Sequence, residues 1–232
     1  MTGTTVKQIS VLGASGRVGK MLVDGIAKAT DLTLAEAISA RGSETTVALD
    51  QAVLDGANAI VDFSTPAGTM ALLDRLAGNS VPLIVGTTGF SPKQTARLNA
   101  EGDRRPILVG ANFAKGFEAF AAAGVELARA LSDADLTVGE IYNAQKKPVA
   151  SGTTQRLCGE LGADGRAVET DIARIGDSPG ENTIELSYGG ATIKLTLTLH
   201  SRAAYAAGAL DGARWLISRP NGLYHPKDMT FD

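Results

Sequence analysis

Residues 11–19 read VLGASGRVG, and they place Gly13, Gly16 and Gly19 between an apolar run and a helical pattern. The spacing is G-x-x-G-x-x-G rather than the G-x-G-x-x-G of the standard dinucleotide fingerprint. Glycine lets a backbone approach a pyrophosphate closely, and the N–H groups at a helix N-terminus hold phosphate oxygens. The turn therefore predicts a nucleotide cofactor site. The alternative is a tight strand-to-helix turn that binds no ligand.

Short apolar runs alternate with helical patterns on both sides of this turn. The runs QISVLG, LTLAEAI, AIVDF, PLIVGTT and ILVGANF are separated by helical patterns that include residues 17–29, 66–77 and 91–100. Such alternation predicts an α/β fold, a Rossmann-like doubly wound parallel sheet with helices on both faces. The second half of the chain has a different pattern, which predicts a second α+β domain.

The pattern changes near Phe113, where an alanine-rich helix begins that includes Gly116 and Gly124 and ends around Ala130. The glycines indicate close packing, because each lowers the stability of a helix by about 1 kcal/mol. The runs ETDIARIG, ENTIELSYG and ATIKLTLTLH follow at short intervals, and the last two are divided by a Gly-Gly pair. They predict a largely antiparallel meander or hairpin. A final helix is expected over about 203–218.

Composition limits the classes of function. The 232 residues are 44% hydrophobic and carry a net charge of -3, and their basic residues are scattered, so no nucleic-acid partner is expected. Cys158 is the only cysteine, which fits a reducing compartment and excludes an internal disulfide. No apolar run reaches the length of a signal or membrane segment. We expect a cytoplasmic protein without a membrane partner, and no metal site is predicted.

The end of the second strand selects between nicotinamide cofactors. An acidic residue there pairs with the ribose hydroxyls of NAD, but this sequence has Ser39 and Arg41, with Glu44 further into the loop. Serine and arginine suit a 2′-phosphate, so NADPH is the predicted cofactor and NADH the alternative. Arg41 as a solvated loop residue is the other interpretation.

Three further turns follow strands that should end at the same edge of the sheet, VDFSTP, VGTTGF and GANF. Ligands of open α/β sheets bind outside the carboxyl ends of the strands. The predicted cofactor-binding residues are Gly13, Ala14, Ser15, Gly16, Arg17, Val18, Ser39, Arg41, Phe63, Gly86, Thr87, Thr88, Gly110, Ala111, Asn112 and Phe113.

The ordered motifs GASGRVG, VDFSTP, VGTTGF, GANFAKG, a lysine followed by SGTT, HSRAAYAAGALDGARWL and GLY resemble the dihydrodipicolinate reductase family of lysine and diaminopimelate biosynthesis. The resemblance runs from residue 13 to residue 224. It implies a reductase in which a nicotinamide cofactor delivers hydride to a cyclic imine bearing two carboxylates. It also implies a dinucleotide-binding domain of residues 1–111 plus about 207–232, a substrate and oligomerisation domain of 112–206, and a homotetramer.

Residues 140–154, EIYNAQKKPVASGTT, depart from the family's E-x-H-H-x-x-K-x-D-A-P-S-G-T. The two histidines are replaced by Tyr142 and Asn143, and the D-A-P segment by residues 148–150. In the family the first histidine, assisted by the lysine, is the proposed proton donor. A further family histidine is matched by Asn182. The chain's own histidines are His200, expected at a strand end, and His225 in the tail.

Tyr142 and Lys146 are the predicted catalytic residues, because a nearby lysine charge would make the phenol a stronger acid. Asn143, Ser151, Gly152 and Thr153 are the predicted substrate-binding residues, since a helix N-terminus beside a lysine binds a small-molecule carboxylate. Tyr142 as a packed aromatic and Lys146 as a solvated lysine remain open. So do two other functions, a paralogue that reduces a different imino acid and a non-catalytic NADPH-binding protein.

Overall fold

The computed structural model describes residues 5–229, and the chain divides into two compact units. Unit 1 consists of residues 1–114 and 205–232, and unit 2 of residues 115–204. Among residues 5–229, no helix combines the length and the apolar character that crossing a bilayer requires.

Unit 1 is built on a seven-stranded sheet in which every neighbouring pair is parallel. Its strands are β1 (Lys7–Leu12), β2 (Leu32–Ser39), β3 (Val47–Ala48), β4 (Ala59–Asp62), β5 (Leu83–Val85), β6 (Pro106–Val109) and β11 (Gly222–Tyr224). Their order across the sheet is β11-β6-β5-β4-β1-β2-β3. The doubly wound parallel sheet is therefore confirmed. Two strands were not predicted, β3, which has two residues, and β11, which has three.

Helices cover both faces of this sheet, namely α1 (Arg17–Lys28), α2 (Pro66–Arg75), α3 (Pro92–Ala100) and α6 (Ala203–Leu216). One apolar cluster joins Leu22 and Ile26 of α1 to Ala209 and Ala213 of α6. A second cluster on the other face includes Leu72 of α2 and Leu98 of α3. Short 3₁₀ helices occupy Glu101–Asp103 and Pro226–Asp228.

Unit 2 contains a four-stranded sheet in the order β10-β9-β7-β8 and two helices. Its elements are α4 (Phe117–Ala130), β7 (Asp135–Tyr142), α5 (Gly152–Leu161), β8 (Val168–Arg174), β9 (Gly180–Tyr188) and β10 (Ala191–Leu199). The antiparallel prediction is confirmed for β9 and β10, but β8 runs parallel to β7, its neighbour in the sheet. The reason is that α5 carries the chain from the end of β7 back to the start of β8, and such a crossover makes two strands parallel.

The helix predicted to begin near Phe113 begins at Phe117 instead. Gly116 is its N-cap with a φ of +91°, in the left-handed region that glycine adopts without strain, so this residue stands before the helix and not within it. Gly124 does lie inside α4. A side chain there would meet Ile184 of β9, since an added Cβ would stand 2.4 Å from its Cδ1. That glycine lets the helix pack closely on the sheet.

Candidate active site

In unit 1 the glycine-rich turn follows β1 and is held in place by backbone contacts. Gly13 has a φ of +84°, and a Cβ added to it would lie 2.4 Å from the carbonyl oxygen of Phe63. A Cβ on Gly19 would lie 2.0 Å from the carbonyl oxygen of Gly13. The N–H groups of Gly13 and Ala14 both donate to the carbonyl oxygen of Ile38, at 2.9 and 3.1 Å. Side chains at these two glycines would push the turn away from β2 and β4.

The same turn leads directly into α1. Gly16 is the N-cap of the helix and provides no side-chain cap, and its own N–H donates to Gly13 at 2.9 Å. Arg17 and Ser15 are exposed, and Val18 is partly buried. Because the first N–H groups of a helix have no acceptor within it, and because its dipole is positive at this end, such a terminus suits an anion.

A cleft of about 480 Å³ lies beside this turn. It is lined by five of the predicted cofactor residues, Gly13, Ser15, Gly16, Ser39 and Phe63. The other residues that line it were not predicted and are Leu12, Ala40, Leu49, Ser64, Thr65, Ala67, Gly68 and Ala71. The run TPAGTMA, which places small residues on the first turns of α2, could have indicated four of them, Thr65, Ala67, Gly68 and Ala71.

The loop after β2 closes on itself through hydroxyl groups. The Ser39 hydroxyl accepts a hydrogen bond from the Gly42 N–H at 3.1 Å and lies 2.8 Å from the Thr46 hydroxyl. Arg41 and Glu44 are exposed on this loop, and neither lines the cleft. Of the two residues predicted to select the cofactor, Ser39 lines the cleft, whereas Arg41 is exposed on the loop and is not part of the lining.

Asp62 at the end of β4 is a buried carboxylate that the sequence analysis did not single out. It accepts hydrogen bonds from the Ser64 N–H and hydroxyl at 2.9 and 2.6 Å, and from the hydroxyls of Thr69 and Thr87 at 2.5 and 3.2 Å. Burial raises its pKa, and these hydrogen bonds only partly oppose the increase. The Thr87 hydroxyl also accepts from the Ser64 N–H at 2.9 Å. This network ties the VDFSTP turn to the VGTTGF turn.

Aromatic rings pack around the turns that follow β5 and β6. Phe63 and Phe113 lie 5.8 Å apart between ring centroids, and a Cβ on Gly86 would stand 2.2 Å from the Phe63 ring. A Cβ on Gly110 would stand 3.0 Å from the Phe113 ring. Thr88 is exposed at the tip of its turn. The two glycines therefore leave room for rings at the edge of the sheet.

Asn112 is buried in the GANF turn, which Ala111 opens. Its side-chain oxygen accepts a hydrogen bond from the Ala114 N–H at 2.9 Å, whereas its amide nitrogen has no hydrogen-bond partner among residues 5–229. A buried polar group without a partner is costly unless a ligand or water satisfies it. This amide, together with the glycine turn and the cleft, fits a polar cofactor at this edge.

In unit 2 the predicted catalytic residues contact each other at the end of β7. The Lys146 Nζ lies 3.6 Å from the centroid of the Tyr142 ring, a cation–π contact. Tyr142 is 5% exposed, and its hydroxyl donates to the Asn182 Oδ1 at 3.1 Å. Asn143 is buried next to it in sequence. Tyr142 is thus both packed and hydrogen-bonded.

The SGT turn begins α5. Ser151 is its N-cap, and the Ser151 hydroxyl accepts a hydrogen bond from the Thr154 N–H at 3.3 Å. Gly152 is the first residue of the helix and Thr153 is buried. The turn lies on the connection that leaves the carboxyl end of β7, the position at which βα units commonly bind ligands.

A buried ion pair fixes the loop between Tyr142 and this turn. Glu140 pairs with Arg174 at 2.5 Å and also accepts hydrogen bonds from the Ser151 N–H, at 3.1 Å, and from the Thr154 hydroxyl. Burial alone would raise the pKa of Glu140, but the hydrogen bonds from Ser151, Thr154 and Arg174 outweigh it and hold the pKa below its usual value. Arg174 also donates to the carbonyl oxygens of residues 147 and 149, at 2.9 and 2.7 Å.

The two histidines lie apart from Tyr142 in sequence and differ in setting. His200 is exposed just beyond β10 in unit 2. His225 belongs to unit 1, where its Nδ1 lies 3.0 Å from the carbonyl oxygen of Val109.

Comparison with known sequences decides the family. The model of dihydrodipicolinate reductase, N-terminus, matches residues 7–113, and that of dihydrodipicolinate reductase, C-terminus, matches residues 116–230. The 4-hydroxy-tetrahydrodipicolinate reductase of Helicobacter hepaticus is 31% identical over 249 residues, which cover 95% of this chain and 98% of the relative. This chain belongs to the dihydrodipicolinate reductase family. The enzyme of the same name from Thiobacillus denitrificans is 29% identical over 96% of this chain and 97% of its own length.

A solved structure supports the fold. The dipicolinate-bound dihydrodipicolinate reductase from Paenisporosarcina sp. TG-14 superposes with a TM-score of 0.70 at 15% identity, covering 97% of this chain and all of that one. Membership of the dihydrodipicolinate reductase family supports a reductase-like function in lysine biosynthesis. A Rossmann-like unit in a family of reductases implies the use of NAD(P)H.

Proposed function

We propose that this chain is an NADPH-dependent reductase that transfers hydride to a cyclic imine bearing two carboxylates, of the 4-hydroxy-tetrahydrodipicolinate class. Unit 1 would bind the cofactor and unit 2 the substrate. The observation that carries the proposal is the loop from Tyr142 to Ser151, because it joins a proton donor, a lysine and a helix N-terminus in one short segment.

The residues of unit 1 suit a dinucleotide. The turn from Gly13 to Val18 would hold the pyrophosphate through the first turn of α1 and through Arg17. Phe63, with the turns at residues 86–88 and 110–113, would hold the nicotinamide half, where the unpaired Asn112 amide offers a donor. When bound, the dihydronicotinamide supplies the hydride.

NADPH is the proposed preference. The loop after β2 has no carboxylate at the strand end, where NAD-specific sites place one, and Glu44 is exposed further along it. Ser39 in the cleft and Arg41 on the loop would receive the 2′-phosphate. The charge of Arg41 supplies most of the discrimination, because hydrogen bonds between charged groups are stronger than neutral ones.

The substrate's carboxylate would bind at the N-terminus of α5. Gly152 and Thr153 supply backbone N–H groups there and Ser151 a hydroxyl, since the Ser151 N–H already donates to Glu140. Asn143 and Lys146 lie on the same loop. The pairing of Glu140 with Arg174 neutralises the one carboxylate buried beside this turn. The Paenisporosarcina relative, which binds dipicolinate, supports a ligand of this kind.

Tyr142 would donate the proton that completes the reduction. The O–H bond of the phenol breaks, its proton passes to the substrate, and the electron pair stays on the phenol oxygen until water returns a proton. Lys146 stabilises that negative charge because its ammonium lies over the ring. Tyr142 thus takes the place of the family's histidine.

We also propose that copies of the chain associate, as a homotetramer, through the sheet of unit 2. Helices α4 and α5 pack on one face of that sheet, as the contacts of Gly124 with Ile184 and of Thr154 with Glu140 indicate. The opposite face carries polar side chains, among them Thr196 and Lys194, which are exposed. Light scattering coupled to size exclusion tests this, and a monomer at micromolar concentration would contradict it.

Steady-state oxidation of NADPH with 4-hydroxy-tetrahydrodipicolinate tests the function. Lys146→Ala should lose most of the activity, and Lys147→Ala, at the exposed neighbouring lysine, is the matched control and should keep it. Tight NADPH binding without oxidation by any imino dicarboxylate would instead identify a non-catalytic binding protein.

A second candidate is a paralogue that reduces another imino acid. Tyr142 and Asn182 stand at two positions where the family has histidines, and here they bond to each other. A pocket rebuilt in this way could accept a substrate with one carboxylate. Turnover of a monocarboxylate imine well above that of 4-hydroxy-tetrahydrodipicolinate would select this candidate.

A further inference from the structure

Asn182 occupies a position of β9 at which the alternation of the strand predicts an apolar side chain. On β9 the residues whose side chains point to the same face are Ile184 and Leu186, and both are fully buried in the core of unit 2. Asn182 is 2% exposed on that face. An amide that is buried to this extent destabilises a protein unless its polar atoms are paired. Packing therefore does not explain the asparagine.

The amide has one partner, which is the phenol of Tyr142. Antiparallel pairing places Asn182 opposite Glu140, two residues before Tyr142 on the same face of β7. The Tyr142 hydroxyl donates to the Asn182 Oδ1 at 3.1 Å, whereas the Asn182 Nδ2 is buried and has no hydrogen-bond partner in the part of the chain that the structure describes. The amide thus offers an acceptor for the phenol hydrogen and a second, unused group that donates.

We propose that Asn182 is a positioning residue for Tyr142, an inference that rests on the proposed function of Tyr142 as proton donor. Without substrate, the amide oxygen accepts the hydroxyl hydrogen and holds the phenol in place. When the substrate binds, that hydrogen turns to the substrate and the amide rotates so that its Nδ2–H donates to the phenol oxygen. The phenol O–H bond then breaks and the proton passes to the substrate. The Nδ2–H stabilises the charge until water restores the proton. The two residues that replace family histidines then work as one unit.

A double-mutant cycle tests the inference in the full-length protein. Asn182→Leu keeps the shape of the side chain and removes both polar atoms, so kcat should fall at least tenfold while the KM for NADPH stays unchanged. In a Tyr142→Phe background the same change should alter kcat by less than twofold, because the hydroxyl on which Asn182 acts is already gone. Asn182→His, which retains a donor and an acceptor, should keep more activity than Asn182→Leu.

Ile184→Val is the matched control, since it alters the next residue on the same face of β9 without touching the hydroxyl, and it should leave kcat unchanged. Equal losses from Asn182→Leu in both backgrounds, or no loss in either, would overturn the positioning role. If Asn182→Leu fails to fold, the activity of Asn182→His tests the positioning role instead. An Asn182→His protein that folds but has no activity would also overturn that role.

A spectroscopic readout separates this inference from the function on which it rests. The Raman Fermi doublet of tyrosine differs between a hydroxyl that donates and one that accepts, and subtracting the Tyr142→Phe spectrum isolates Tyr142 from the chain's other three tyrosines. Asn182→Leu should change the doublet of Tyr142 even without any substrate, and an unchanged doublet would overturn the contact. If Tyr142→Phe is fully active, the proposed donor fails. If Tyr142→Phe is impaired and Asn182→Leu is not, only the positioning role fails.

Discussion

The glycine turn of unit 1 and the Tyr142 loop of unit 2 are built in opposite ways. In the turn, backbone meets backbone, since an added Cβ at Gly13 or Gly19 would lie within 2.4 Å of a carbonyl oxygen. In the loop, side chains set the structure, since Arg174 bonds Glu140 and two loop carbonyls, and the Tyr142 hydroxyl bonds Asn182.

The difference determines how each region can change in evolution. A site held by backbone contacts is lost when a glycine gains a side chain, and its glycines are consequently visible in the sequence. A site held by side chains can exchange several of them together, provided the new groups satisfy one another. The proposed replacement of the family histidines by Tyr142, Asn143 and Asn182 would be an instance of the second kind.

Tyr142→Phe removes only the hydroxyl. We expect kcat to fall by roughly 10²–10⁴, the range for a lost general acid, because the ring still packs under Lys146. Cofactor binding should change little. Stopped-flow measurement of NADPH oxidation with the true substrate gives the kcat of the variant. Full activity would mean that Tyr142 only packs and does not donate the proton.

Lys146→Ala distinguishes the two predicted catalytic residues. It removes the charge over the ring together with a partner for the substrate carboxylate, so both kcat and the KM for the imine should worsen, and the KM for NADPH should not. A loss confined to kcat would mean that Lys146 does not contact the substrate.

Arg174→Met should destabilise the protein by about 3–5 kcal/mol, because it leaves the Glu140 carboxylate buried without its partner. Chemical denaturation measures the change. Arg129→Met breaks an ion pair with Glu126 in which both side chains are 71% exposed, and it should cost about 0.5 kcal/mol or less. Similar losses for the two variants would show that the Glu140 pair does not hold the loop.

The same ion pair gives a pH dependence of stability. The pKa of Glu140 is lowered in the folded protein, so the ionised carboxylate stabilises the fold fully above the usual glutamate pKa, and the contribution is lost as the pH falls through the lowered value. The stability difference between wild type and Glu140→Gln should therefore shrink on acidification. A difference that is constant with pH would contradict the network of hydrogen bonds.

Arg41→Ala should weaken NADPH binding by roughly 1.5–3 kcal/mol, the contribution of a charge-assisted hydrogen bond, and leave NADH binding unchanged. Fluorescence titration with each cofactor measures both. Loss of affinity for both cofactors to the same extent would place Arg41 away from the 2′-phosphate.

Gly16→Val should weaken NADPH binding at least tenfold, or about 1.4 kcal/mol. The added Cβ would stand 3.0 Å from the Gly13 carbonyl oxygen, at the N-terminus where the pyrophosphate is proposed to bind. Gly56→Val is the matched control, because a Cβ there meets nothing within 4 Å. Unchanged affinity in a folded Gly16→Val protein would remove the turn from the cofactor site.

The sequence predicted unit 1 well because its strands are continuous apolar runs and its turns carry glycine. The short β3 and β11 were missed, since two or three residues leave no periodic signal. In unit 2 the parallel pairing of β8 was also missed, because alternation identifies a strand but not the direction of its neighbour. Only tertiary structure reveals that α5 is a crossover.

The contacts of the site were the least predictable part. Tyr142 and Lys146 were named from their positions in one loop, but the contact of Tyr142 with Asn182 joins residues 40 apart in sequence. The hydrogen bonds to Asp62 likewise come from distant parts of the chain, namely Ser64 and Thr87 in two turns and Thr69 in α2. Such networks arise from how strands are paired, and no local pattern records them.

We propose that Tyr142, held by its hydrogen bond to Asn182, donates the proton in a reductase of this family. A crystal structure with NADPH and pyridine-2,6-dicarboxylate tests it most directly. We predict one carboxylate on the backbone N–H groups of residues 152–153 and the Tyr142 hydroxyl within hydrogen-bonding distance of the ligand. A dicarboxylate bound away from α5, or a Tyr142 hydroxyl that contacts only Asn182 and never the ligand, would contradict the account.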